Sequence, residues 1–229
     1  MLAMHSVDDA KVMAARKGLE FVEEGMVVGL GSGSTATQFI RLLGERVKAG
    51  LKVRGIASSR ASEELAVSLG IPVIDFEACS EIDVAIDGAD EVGPGLALIK
   101  GGGGALLREK IVASASRRFI IVADASKVVR LLGRFPLPVE VIQMAVPLVL
   151  RKLTALEMRP AVRRNKDGSA YVTDEGNSIL DCACGEMEDP AAVAAAIRGI
   201  VGVVEHGLFL GMAERALIAD GAGVRELVR

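Results

Sequence analysis

Four short stretches of this 229-residue chain bring glycines, hydroxyls, carboxylates and lysines together at spacings suited to a small anionic substrate. In Gly29-Leu30-Gly31-Ser32-Gly33-Ser34-Thr35, an apolar run ends, the chain turns, and a helical pattern begins. Glycines let the backbone approach an anion, and the first N–H groups of a helix point at it. Ser32, Gly33, Ser34 and Thr35 are thus expected to hold one phosphate group. A dinucleotide is the rival occupant, but the G-x-G-x-x-G spacing fails because Ser34 stands where the third glycine belongs. Ser58-Ser59-Arg60 has no acid for a ribose, although Arg60 leaves a 2′-phosphate open; a serine-capped turn without a ligand is the plain structural alternative.

The second stretch, Asp87-Gly88-Ala89-Asp90-Glu91, follows a buried-looking run ending at Ile86. Three acids so close repel one another unless a cation or a polyol sits among them, and sugar hydroxyls are good partners. No His or further acid stands at metal-ligand spacing, so no metal is expected; solvated acids in an Asp-Gly turn are the alternative. The third stretch runs from Lys100 through Gly101, Gly102, Gly103 and Gly104 to Arg108-Glu109-Lys110. Four glycines in a row are costly in chain entropy and make a poor linker. Helical spacing places Glu109 between Ala105 and Ala113, an apolar flank that would raise its pKa and suit a general base. Lys100 is positioned to meet a developing oxyanion. The alternative is a surface glutamate beside two cations. The fourth stretch, Ala123-Asp124-Ala125-Ser126-Lys127, offers Lys127 to a phosphate or sugar oxygen.

Composition narrows the function further. The only histidines are His5 and His206, so a carboxylate is expected to move protons. Net charge is −3 and Trp is absent, which argues against nucleic acid as a partner. Three cysteines give no disulfide framework, Cys182 and Cys184 read as small buried hydrophobes, and the acidic turn by Asp8 does not suit a signal peptide. The longest uncharged run, 25–40, is broken by Gly, Ser and Thr, so no membrane span is expected. The cytoplasm fits all of these.

The elements that must position these groups follow from periodicity. Helices are expected over 7–24 (with Ser6 ahead of it), 34–48, 59–69 and 103–117, and strands over 26–30, 53–57, 71–74, 82–86 and 119–123. Alternation of this kind makes an α/β chain with a parallel sheet and helices on both faces. Prolines at 136, 138 and 147 mark a change of texture. Strands over 160–164, 171–173 and 178–183 and a helix over 190–199, opened by Asp189 and Pro190, then suggest a small α+β unit. The tail from 207 returns to short strands that rejoin the first sheet.

Together the motifs GLGSGSTA (29–36), SSRASEELA (58–66), DGADEV (87–92), KGGGGALLREKI (100–111), ADASK (123–127), FPLPVEV (135–141), TDEGNSILD (173–181) and VVEHGLFLGMA (203–213) resemble the type A ribose-5-phosphate isomerase family, in order over nearly the whole chain. The resemblance implies a Rossmann-like domain (1–132 and 207–229) with a smaller α+β domain (133–206) inserted near the C-terminal end, assembled as a homodimer or homotetramer. It implies cofactor-free, metal-free interconversion of ribose 5-phosphate and ribulose 5-phosphate through a cis-enediolate, within the pentose phosphate pathway. Glu109 maps to the proton acceptor, and Ser32–Thr35, Asp87–Asp90, Lys100–Gly103 and Lys127 to substrate binding. Which of Asp87 and Asp90 assists ring opening stays open. Arg60 and Gln143 depart from common family residues. Another phosphosugar enzyme, a sugar-phosphate sensor and an NADP reductase remain the alternatives.

Overall fold

The computed structural model describes residues 7–229; His5 and Ser6 lie outside the described residues. The chain divides into two compact units. The first takes in residues up to 89, 108–128 and 211–229, and the second 90–107 and 129–210. The expected insertion, 133–206, falls within the second unit, which also takes in 90–107, 129–132 and 207–210.

The first unit is built on a six-stranded sheet. Its elements are α1 (Val7–Leu19), β1 (Val27–Leu30), α2 (Gly33–Lys48), β2 (Arg54–Ala57), α3 (Arg60–Ser68), β3 (Val84–Asp87), most of α4 (Leu106–Ser114), β6 (Phe119–Asp124), β12 (Arg215–Asp220) and β13 (Gly223–Val228). The strand order is β13-β12-β6-β3-β1-β2, all parallel neighbours except the antiparallel β12–β13 pair. The tail rejoins this sheet only from Arg215, through β12 beside β6, while residues 208–209 pair within the second unit instead.

Alternation along β1 explains the layers. Val28 and Leu30 join Ala14 of α1, Phe39 and Leu43 of α2 and Ala66 of α3 in one buried cluster. Gly29 faces the other way, where a Cβ would stand 2.8 Å from Val112 Cγ1 on α4. Helices therefore cover both faces, as parallel strands require. Gly18 lets α1 lie close on the sheet, since a Cβ there would be 3.0 Å from Val122 Cγ1.

In the second unit, β4 (Glu91–Val92), β5 (Leu98–Ile99) and β11 (Leu208–Phe209) form a small antiparallel sheet in the order β11-β5-β4. A larger one, β10-β7-β9-β8, is made of β7 (Leu137–Val141), β8 (Pro160–Val162), β9 (Ser178–Cys182) and β10 (Val203–His206). Helices α5 (Val146–Ala155) and α6 (Pro190–Arg198) contribute Val149, Leu153 and Ile197 to its core. Asp189 caps α6 as expected, accepting from the N–H groups of Ala191 at 3.0 Å and Ala192 at 2.9 Å.

Several local expectations are corrected. The strand expected over 71–74 is a single bridge, Gly55 to Val73, because Pro72 brings no N–H to a ladder. The segment 171–173 is not a strand: pairing stops at the Arg164–Ala170 bridge, and Thr173 turns back onto Asn177. Helix α1 ends at Leu19 rather than Glu24, followed by i to i+3 turns at Glu20, Phe21 and Val22. Helix α4 starts at Leu106 rather than Gly103, because Gly101 and Gly104 take φ of 100° and 88°. Helix α5 and strand β7 went unforeseen in the stretch where the prolines marked only a change of texture. Pro147 sits in the first turn of α5, where a missing N–H costs no helical bond.

Candidate active site

The first unit presents three loops at the carboxyl ends of β1, β3 and β6, which lie side by side in the sheet. Register puts Leu30 beside Ile86 and Asp87 beside Ile121. The chain runs outward from β1 in both directions, to β2 on one side and to β3 on the other. The crevice at such a reversal is where open α/β sheets bind ligands.

At that reversal the β1–α2 turn is pinned to Asp87. Asp87 is buried, and its Oδ1 accepts from the N–H of Ser32 at 2.9 Å and of Gly88 at 2.7 Å. Gly31 is required there because a Cβ would stand 2.3 Å from Asp87 Oδ1. Gly33, at φ +84°, begins α2. Ser32 occupies the N-cap position but makes no side-chain cap; its hydroxyl pairs with that of Ser58 at 2.8 Å. Behind the turn, Ser62 Oγ donates to the Gly31 carbonyl at 2.6 Å and accepts from Ser59 Oγ at 2.9 Å. Gly33 and Ser34 are exposed, Ser32 is half-buried and Thr35 is buried. The result is a rigid turn opening a 16-residue helix, with hydroxyls and first-turn N–H groups suited to a phosphate.

Lys127 ends a one-turn 3-10 helix after β6, capped by Asp124, and is half-buried. Glu109 lies in the first turn of α4 and is 4% exposed. Lys110, on the same helix, is also buried. Gly88 and Ala89 are half-buried after Asp87.

The second unit presents Asp90 and the glycine loop. Asp90 is held by its own N–H to the Ile99 carbonyl at 2.8 Å, and its Oδ2 accepts from the Gly102 N–H at 2.7 Å. Lys100 is 2% exposed; its N–H donates to the Gly207 carbonyl at 2.9 Å and its Nζ lies 5.5 Å from the Phe209 ring centre. The 101–104 turn closes through the Gly104 N–H to the Gly101 carbonyl at 2.9 Å, with Gly102 and Gly103 exposed at its tip. Glu91, the third acid of its cluster, turns elsewhere. It is buried and accepts from the N–H groups of Gly133 at 2.7 Å and Phe135 at 2.6 Å, which makes it a structural staple.

Residues that sequence reading missed support these loops from behind. Ser58 and Ser62 lie within the quoted stretch 58–66, where nothing local marks them as partners of the β1–α2 turn. Arg163 and Tyr171 stand against the glycine loop without any motif to mark them, and Asp181, the last residue of the quoted stretch 173–181, pairs with Arg163. Arg163 pairs with Asp181 through two bonds of 2.9 and 2.5 Å and donates to the carbonyls of Gly101 at 3.0 Å and Gly102 at 3.2 Å. Among the described residues, no three His, Cys, Asp or Glu side chains stand together as a metal site. Burial pushes the Cys182 thiol far up, as suits an inert core residue. No helix among the described residues is long and apolar enough to cross a membrane.

The profile of the family described as Ribose 5-phosphate isomerase A (phosphoriboisomerase A) matches residues 54–223. A ribose-5-phosphate isomerase A from Bradyrhizobium diazoefficiens is 47% identical, over 98% of this chain and 97% of its own length. A solved D-ribose-5-phosphate isomerase in complex with phospho-erythronic acid superposes with a TM-score of 0.95 at 37% identity, covering 98% of this chain and 100% of that one. The ribose 5-phosphate isomerase A of Methanocaldococcus jannaschii gives 0.93 at 38% identity, again over 98% and 100% of the two chains.

Proposed function

The chain belongs to the ribose 5-phosphate isomerase A family, and we propose that it interconverts ribose 5-phosphate and ribulose 5-phosphate through a cis-enediolate, as a step of the non-oxidative pentose phosphate pathway. The observation that carries this reading is the end-to-end match with relatives named for that activity, at 47% identity over 98% of the chain.

Each residue has a role that its surroundings support. Ser32, Gly33, Ser34 and Thr35, on the rigid β1–α2 turn, hold the phosphate, with Lys127 as a further cation. Glu109 removes the proton from C2 of the open aldose and returns it to C1; its burial keeps water from competing for that proton. Lys100 and the N–H groups of the Gly101–Gly103 loop stabilise the enediolate oxygens. Asp87 assists ring opening. Its Oδ1 is engaged by two backbone N–H groups, which hold the carboxylate in one orientation. Asp90, with Gly88 and Ala89 in the same stretch, binds hydroxyls or passes a proton between O1 and O2. The enzyme needs no cofactor and works in the cytoplasm as a homodimer or homotetramer. The exposed apolar side chains Met144 and Val201 support self-association, and light scattering that finds only monomer would remove that part of the reading.

The test is formation of ribulose 5-phosphate from ribose 5-phosphate by purified protein in excess EDTA, with Glu109→Gln beside it. Turnover is expected to survive EDTA, and loss of the base should lower kcat by about 10²–10⁴ while KM stays within about threefold. Near-parent turnover in Glu109→Gln would take the base role from Glu109. Saturable binding without turnover in the parent would instead favour a sugar-phosphate sensor.

A further inference from the structure

The peptide planes of the glycine loop carry an assignment that its sequence does not suggest. Three consecutive carbonyls, those of Gly101, Gly102 and Gly103, accept bonds from side chains of the β8–β9 region: Arg163 Nη1 reaches the first two at 3.0 and 3.2 Å, and Tyr171 Oη reaches the third at 3.3 Å. Every peptide bond among the described residues is trans. In a trans peptide the N–H of one residue points opposite to the carbonyl of the residue before it. Fixing the Gly101 carbonyl on Arg163 therefore aims the Gly102 N–H away from it, and that N–H is found on Asp90 Oδ2 at 2.7 Å. Fixing the Gly102 carbonyl in the same way aims the Gly103 N–H outward, where it meets no protein acceptor among the described residues.

Gly103 itself shows why that direction matters. Its φ is not in the left-handed region, and a Cβ built on it would meet nothing within 4 Å. Neither conformation nor packing demands glycine there. What glycine preserves is open space beside an outward-facing N–H. Gly102 and Gly104 differ, since a Cβ would stand 2.5 Å from Asp90 Oδ1 at the first and 2.0 Å from Tyr171 Oη at the second.

We propose that Arg163 is a positioning residue: aligned by Asp181 and backed by the Tyr171 ring, it clamps the Gly101 and Gly102 carbonyls so that the Gly103 N–H is presented to the enediolate oxygen. Its guanidinium spends one edge, Nε and Nη2, on Asp181 and turns Nη1 to the two carbonyls, a fork a lysine cannot reproduce. The Tyr171 ring centre lies 5.7 Å from Arg163 Cζ, and the arginine side chain is only 13% exposed, so the clamp is stiff. A cation at the carbonyl end also polarises the peptide groups and strengthens the opposing N–H as a donor.

This rests on the isomerase reading of the site. The test compares the parent with Arg163→Ala, Arg163→Lys and Tyr171→Phe, all checked for folding by circular dichroism. It measures kcat and KM for ribose 5-phosphate and inhibition by phospho-erythronic acid, whose carboxylate resembles the two enediolate oxygens. Removing one oxyanion donor costs about 10²–10³ in rate, so a misaimed one in Arg163→Ala should cost about tenfold to a hundredfold in kcat with KM within about threefold. Binding of phospho-erythronic acid should weaken more than KM rises, and added guanidinium should restore part of the lost kcat. Arg163→Lys should fall by at least about fivefold, since its ammonium cannot hold the fork. If Arg163→Ala does not fold, Arg163→Lys and Tyr171→Phe decide: parent-like kcat in both overturns the clamp. Equal loss of substrate and inhibitor binding with unchanged kcat also overturns it. Absence of turnover in the parent overturns the isomerase reading, and the clamp with it; turnover in the parent with unaffected variants overturns the clamp alone.

Discussion

At the scale of single residues, the glycines divide into those that release the backbone and those that clear space. Gly104 belongs to the first kind, with φ +88° and Tyr171 against its missing Cβ; Gly103 belongs to the second. The two substitutions should therefore separate stability from catalysis. Gly103→Ala should leave thermal stability unchanged or raise it by about 0.4–1 kcal/mol, because a compatible site loses unfolded-state entropy, yet it should lower kcat/KM by at least tenfold. Gly104→Ala should lower the melting temperature outright. A Gly103→Ala variant with parent kcat/KM would show that nothing approaches that face.

At the scale of elements, the sheet's carboxyl edge decides where chemistry can occur, and small hydroxyl residues hold it there. Ser62 Oγ donates to the buried Gly31 carbonyl from the first turn of α3, tying that helix to the β1–α2 turn. Ser62→Ala leaves that carbonyl without its donor and should cost about 1–3 kcal/mol. The loosened turn should raise KM for ribose 5-phosphate severalfold while kcat changes little, because the phosphate is held equally in ground and transition states. Steady-state kinetics beside thermal melts check both; a kcat loss at constant KM would contradict phosphate holding by this turn. The parallel strands were legible in the sequence as apolar runs between helices. The serine relay was not, because Ser58, Ser59 and Ser62 become neighbours of Ser32 and Gly31 only when β2 pairs with β1.

At the scale of the whole molecule, the second unit carries a buried carboxylate outside the proposed chemistry, Glu140 on β7, which is 1% exposed. Its Oε1 accepts from Thr173 Oγ1 and Asn177 Nδ2, each at 2.9 Å, while Oε2 has no partner among the described residues. Burial raises its pKa, against the two hydrogen bonds that favour the charged form; Glu175 and Glu205 raise it further. The folded state therefore holds this proton more tightly than the unfolded chain. The stability it contributes is complete below the ordinary glutamate value and is lost as pH rises through the folded one. Glu140→Gln removes the titration, so its melting temperature relative to the parent should rise from pH 5 to pH 8. A difference that stays constant across that range would show that Glu140 does not titrate there.

What the sequence determined by itself was where contiguous residues of suitable type gather: the glycine–serine turn, the acids at 87 and 90, the glycine run and Glu109. It also determined the alternation that makes a parallel sheet, because apolar period and turn residues are local properties. Tertiary structure decided which polar groups meet and which are structural. It turned Glu91 to staple Gly133 and Phe135, reduced 71–74 to one bridge and 171–173 to a turn, and drew 90–107 into the second unit. It also brought Arg163, 62 residues along the chain from Gly101, to the carbonyls of the glycine loop, with Asp181 paired to its other edge. Such contacts depend on strand register and on where buried polar groups find partners. Those are properties of the packed molecule, and no local pattern of residue types encodes them.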